Sequence, residues 1–247
     1  MIAGELEIHE TLNTKLWDEN NYLRPEIREK VIAIVDTFIK SFSIPIDVID
    51  IHIVGSNASY NYTKYSDLDI HVVTNFEMLD APIELVKALY DKEKASFNKT
   101  YDISIRGIHV ELYVENLSEM TLSNGIYSIH NNEWIKFPEK LKPTLKIDIN
   151  KDFKDWQATI KNIIANGNSN DIKTVINQIY LLRKNSLAVD GEYGKFNQIF
   201  KALRNEGLID ELREKLTTVL SKELSLESLK NINEYFSPGE IINLYQE

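Results

Sequence analysis

The chain has no cysteine in its 247 residues, which rules out disulfides, thiolate zinc sites and cysteine nucleophiles. It has no apolar run near the roughly 20 residues that a bilayer-spanning helix needs, and its N-terminus lacks a basic patch followed by an apolar stretch. These absences lead us to expect a cytoplasmic protein with no membrane partner. Positive charge is also short: 28 Lys and Arg stand against 38 Asp and Glu, a net charge of −10. That balance disfavours long nucleic acid as a tight, non-specific partner. No internal repeat or low-complexity segment interrupts the pattern. What remains, 43% hydrophobic and 27% charged, is ordinary for a globular chain with a buried core, long enough for one large domain or two modest ones.

The charge is unevenly spread. Residues 151–204 carry nine basic and five acidic residues, so a block of +4 lies inside an acidic protein. Such a block is either a solvated face or a surface that receives polyphosphate.

The most informative stretch is Ile51 to Val73, IHIVGSNASYNYTKYSDLDIHVV. A β-branched run ends at Gly55-Ser56, ten residues follow, and a second apolar run opens with Asp67-Leu68-Asp69. The pattern predicts strand, tight turn, short helix, strand. Side chains two apart share a strand face, so Asp67 and Asp69 point one way and Leu68, Ile70 and Val72 point into the sheet. Two carboxylates held this close repel each other unless a cation sits between them, and hard ions such as Mg²⁺ take oxygen ligands of this kind. Gly55 permits close backbone approach or a positive φ, and Ser56 presents a hydroxyl where a helix would start, an anion cradle facing the same cleft.

Gly-Ser, a ten-residue spacer and Asp-x-Asp between apolar strand residues resemble the signature of the DNA polymerase β-like nucleotidyltransferase superfamily. That pattern calls for a third carboxylate on a later strand. Ile108 to Val114 offers Glu111, where Val110 and Leu112 alternate against it; glutamate in place of the commoner aspartate departs from the family. The resemblance covers about residues 48–114. It implies catalytic and metal-binding roles for Asp67, Asp69 and Glu111, two Mg²⁺ ions (with Mn²⁺ as an alternative), and substrate binding by Gly55 and Ser56. It further implies a nucleoside triphosphate as donor, with a small molecule, a nucleic-acid end or a protein as acceptor. The reaction so implied moves a nucleoside monophosphate onto an acceptor hydroxyl and releases pyrophosphate. Two rival readings are an antitoxin-like transferase that modifies a protein, and a non-catalytic nucleotide-binding module.

Around this centre, Lys64 and the tyrosines of residues 57–66 are candidates for contact with triphosphate or acceptor, and Ser66 for a hydrogen bond that orients an aspartate. His71 is a further polar group on the Asp69 face. The first twenty residues read as an amphipathic helix or a packed arm with no chemistry. Helices are expected from Pro25 and over 77–98, strands over 48–54, 101–105 and 108–114, a hairpin turn at Arg106-Gly107, and two short strands around Asn131-Asn132. The expected fold is α+β: a mixed sheet of three or four central strands with helices, followed by a helical domain. Prolines bracketing 137–143 place the boundary so that 1–140 form the catalytic domain and 141–247 the helical one. Within the latter, helices end at Gly167 and Gly207, a loop spans Asn185 to Gly194, and Ser237 starts a capping box. By analogy with two-domain transferases, Lys184 and Lys195 near that loop are candidate cations for the phosphates.

Overall fold

The computed structural model describes residues 8–119, 121, 123–140 and 148–225. The described residues fall into two compact units, 8–140 and 148–225. The expected boundary at 140/141 and the capping box at Ser237 touch or fall on residues outside the described set.

The first unit is built on a six-stranded mixed sheet. Its strands are β1 (Asp50–Val54), β2 (Leu68–Thr74), β3 (Ser104–Ile105), β4 (Ile108–Asn116), β5 (Ile126–Ser128) and β6 (Glu133–Lys136), in the spatial order β3-β4-β2-β1-β5-β6. β2 and β4 run parallel, while β1 pairs antiparallel with both β2 and β5. The central strands expected are there, and the short β3, β5 and β6, two to four residues each, extend the sheet at its sides. The hairpin turns are where glycine and asparagine foretold them. Arg106 and Gly107 both take positive φ, as do the tight turns that match strand twist, and Asn132 does so between β5 and β6.

One sheet face is apolar. Ile53, Leu68, Ile70, Val72, Val110, Leu112 and Val114 are buried there with Ile27, Val31, Val35 and Phe38 of α1 (Pro25–Lys40) and Val86, Tyr90 and Phe97 of α2 (Ile83–Thr100). Residues 8–24 are an arm and not a helix. It carries Leu12, Leu16 and Trp17 into the same core, and a bridge joins Trp17 to Leu23. The helix expected over 77–98 is split: a 3-10 turn at Phe76–Met78 comes first and α2 starts only after Pro82. Proline lacks the amide a helix interior needs and fixes the start at its own position.

The second unit is helical: α3 (Asn150–Asn166), α4 (Ser169–Asp190), α5 (Lys195–Asn205) and α6 (Leu208–Glu223). α3 stops before Gly167, and Gly207, in the left-handed region, separates α5 from α6. The loop expected over 185–194 is mostly helix, since α4 continues to Asp190 before the 3-10 turn Gly191–Tyr193. Ser186, on that extension, is buried and accepts a hydrogen bond from the Asn197 amide at 3.3 Å, which anchors the last turn to α5. Gly191, at positive φ, ends it.

Candidate active site

The second sheet face is polar, and the order of the strands decides what meets there. β4 lies beside β2 in parallel register, so Asp69 is directly opposite Glu111 and Leu68 opposite Val110. Paired residues on neighbouring strands share a face. Asp69 and Glu111 are therefore adjacent on the side away from the core, with Asp67 two residues ahead of Asp69 on the same side. Glu111 is exposed and Asp69 partly buried. On its other side Asp69 faces Val54, the last residue of β1.

Immediately beyond Val54 comes Gly55, at φ 73 and ψ −159. A side chain here would run into the Asp69 carboxylate, since the site of a Cβ is already taken up by Asp69 Oδ2. Gly55 thus meets both conditions expected of it, close approach and positive φ, and the group that approaches is an aspartate. Its amide donates to Ser123 Oγ at 3.0 Å. Ser56 opens a single 3-10 turn, Ser56–Ala58, and its hydroxyl donates to Ser66 Oγ at 2.8 Å. Ser66 also accepts from the Thr63 amide at 2.9 Å. The Ser66 hydroxyl is thus bonded to Ser56 and Thr63 instead of the aspartate expected: the ten-residue loop folds back so that its last residue braces the serine just before it.

Two features of the site carried no signal in the sequence. His109, one strand position before Val110, is half exposed; its Nδ1 lies 3.7 Å from Asp67 Oδ1 and its Nε2 3.6 Å from Asp102 Oδ1. Asn57, fully buried, donates through Nδ2 to the backbone carbonyls of Asp67 at 2.8 Å and Ser66 at 3.2 Å. A lone histidine in a strand and an asparagine in a turn have no spacing that marks them.

Behind the carboxylates, His71 stands between His52 and Tyr113. It is held to its own partner, its Nδ1 lying 2.7 Å from Glu115 Oε2. Burial would raise the Glu115 carboxyl, but hydrogen bonds from His71 and Thr121 outweigh it and hold the group below the ordinary carboxylate range.

Three candidates remain: Lys64 in the first unit, and Lys184 and Lys195 in the second. Lys64 is exposed, with Nζ over the Tyr65 ring at 4.8 Å. Lys184 is exposed, and Lys195 forms an ion pair with Asp152 at 2.7 Å. Arg183 packs over Phe200 at 4.2 Å, so part of the basic block serves the helical core.

Asp67, Asp69 and Glu111 are an all-oxygen, all-carboxylate donor set, which suits a hard divalent cation in kind. Their backbone positions place all three on one face. Their side chains do not close on one point: among the described residues no three His, Asp or Glu side chains form a group that could hold a metal ion.

Among the described residues no helix is long and apolar enough to cross a membrane. Neither a curated protein nor a solved structure matches the chain. A family model described as a nucleotidyltransferase domain matches residues 32–152, a span that takes in the second half of α1, the whole sheet and the carboxylate face. Residues 32–152 of this chain accordingly form a nucleotidyltransferase domain of the DNA polymerase β-like superfamily.

Proposed function

We propose that this domain transfers a nucleoside monophosphate from a nucleoside triphosphate to an acceptor hydroxyl, with release of pyrophosphate. The observation that carries the reading is the register that sets Asp69 directly beside Glu111, with Asp67 two residues earlier on the same polar face. The acceptor oxygen attacks the α-phosphorus, the bond from that phosphorus to the bridging oxygen of the β-phosphate breaks, and pyrophosphate leaves with the electron pair.

Asp67 and Asp69 would hold Mg²⁺, and Glu111 would complete the site on the acceptor side. When bound, such ions make the acceptor oxygen more acidic and stabilise charge on the phosphoryl oxygens. Gly55 and Ser56 take the triphosphate. Gly55 keeps the backbone low enough for Asp69 to sit against it, and Ser66 fixes the Ser56 hydroxyl at the cleft. Glu111, exposed beside Asp69, holds the departing proton of the acceptor.

The test is pyrophosphate release with Mg²⁺ and each of the four nucleoside triphosphates. Asp67→Ala and Asp69→Ala are each expected to abolish it. Equal release by wild type and both variants, with nucleotide still bound, would leave a non-catalytic binding module. Mass spectrometry of the labelled product separates a small-molecule acceptor from a modified protein.

A further inference from the structure

The arm at residues 8–24, which the sequence left without chemistry, is wired to Asp67 through a chain of hydrogen bonds with a single direction. The Lys15 amide donates to Asn13 Oδ1 at 3.1 Å, and Asn13 Nδ2 donates to Asn57 Oδ1 at 2.8 Å. Asn57 Nδ2 then donates to the carbonyls of Asp67 and Ser66. A backbone amide can only donate and a carbonyl can only accept, so both ends fix both asparagine side chains in one orientation. The Asn57 carbonyl is tied as well: it accepts from Trp17 Nε1 at 2.8 Å. Trp17 is itself fully buried and stacked on Trp134, ring centroids 4.6 Å apart. A second tether holds the far part of the loop, where the His9 amide donates to the Tyr60 carbonyl at 2.8 Å and the His9 ring stacks on Tyr62.

We propose that Asn57, locked by Asn13 and Trp17, is a positioning residue that sets Asp67 for its divalent ion, which makes the arm a working part of the site. The inference rests on the reading of Asp67, Asp69 and Glu111 as ion ligands. Asp67 stands one residue ahead of β2, and the Asn57 amide holds its carbonyl from the side of the arm. Hydrogen-bonded partners behind a metal ligand typically control affinity by 10–100-fold.

The test is Mn²⁺ binding to the full chain, followed by electron paramagnetic resonance, alongside steady-state turnover. In Asn13→Asp, residue 13 becomes an acceptor and turns the Asn57 amide toward itself, so that Asn57 Oδ1 opposes the carbonyls of Ser66 and Asp67. We expect a folded protein that binds Mn²⁺ about tenfold more weakly, with kcat reduced and the KM for nucleoside triphosphate within about twofold of wild type. Asn13→Ala, which only removes the donor, is expected to shift Mn²⁺ affinity in the same direction. Asn13→Asp added to Asn57→Ala should cost nothing further, because both act through one side chain. Wild-type Mn²⁺ affinity in folded Asn13→Asp and Asn13→Ala, or additive losses in the double variant, would overturn the inference alone. Unchanged Mn²⁺ affinity in Asp67→Ala/Asp69→Ala would overturn it together with the ion-ligand reading beneath it.

Discussion

At Gly55 a backbone requirement and a packing requirement coincide, and each alone would exclude a larger residue. Gly55→Ala is expected to cost about 1–3 kcal/mol of stability, as an unfavourable φ does in general; it should also push Asp69 out of line and abolish turnover, measured by urea unfolding and pyrophosphate release. Glu115 gives a pH prediction. Its folded carboxyl titrates below the unfolded value of about 4.3, so its ionised form contributes stability that is complete above that value and is lost as pH falls through the lower, folded one. Urea midpoints taken from about pH 6 down to about pH 3 should fall steeply in wild type and less so in Glu115→Gln, the two curves converging at the acid end. At this scale the sequence disclosed residues whose spacing repeats with the strand: Asp67, Asp69 and Glu111 alternate with apolar neighbours, and alternation fixes a face. It was silent on His109, Asn57 and Glu115, whose partners lie on other strands or in the arm. It misplaced Ser66 because a loop of ten residues has no period from which a direction could be read.

Among the elements, β4 shows how a short edge strand is completed. β3 pairs with only the first residues of β4, and further along α2 takes over: Asn98 Nδ2 donates to the Leu112 carbonyl at 3.0 Å while its Oδ1 accepts from the Leu112 amide at 3.4 Å. One side chain replaces a missing strand partner, which also protects the edge from pairing with another chain. Asn98→Leu leaves both backbone groups unpaired and is expected to cost about 1–3 kcal/mol by denaturant unfolding, with the Asp67 and Asp69 face unaltered. α4 begins with a reciprocal capping box between Asn168 and Asp171, so Asn168→Ala should cost about 1 kcal/mol. Helix ends marked by Gly167 and Gly207 were legible because those residues act on their own backbone, whereas the start of α2 after Pro82 was placed too early. The extension of α4 through 185–190 was not, since the burial of Ser186 against Asn197 is a tertiary fact.

For the whole molecule, the sequence disclosed the kind of domain that carries the sheet, and the second part only as helical. Every element of the nucleotidyltransferase domain is tied to a sheet whose strands carry a period of two, while the helical unit carries its instructions in a looser apolar stripe. No motif in that stripe identifies an acceptor. Lys184 and Lys195 are the residues to interrogate there. The Lys195 ion pair with Asp152 is surface-exposed, so Lys195→Ala should change stability by no more than about 1 kcal/mol; a rise in KM for nucleoside triphosphate without loss of kcat would assign either lysine to the phosphates.

The parallel pairing of β2 with β4 has a kinetic corollary. Asp69 and Glu111 become neighbours only after the intervening chain, α2 included, has crossed over and docked, whereas the β3–β4 hairpin closes locally across its two-residue turn. Contacts between residues distant in sequence form late, after the entropy of closing the loop has been met. A refolding chain should therefore recover helical signal well before Asp69 and Glu111 meet; if these carboxylates hold an ion as proposed, Mn²⁺ capture is expected only in the last phase of refolding.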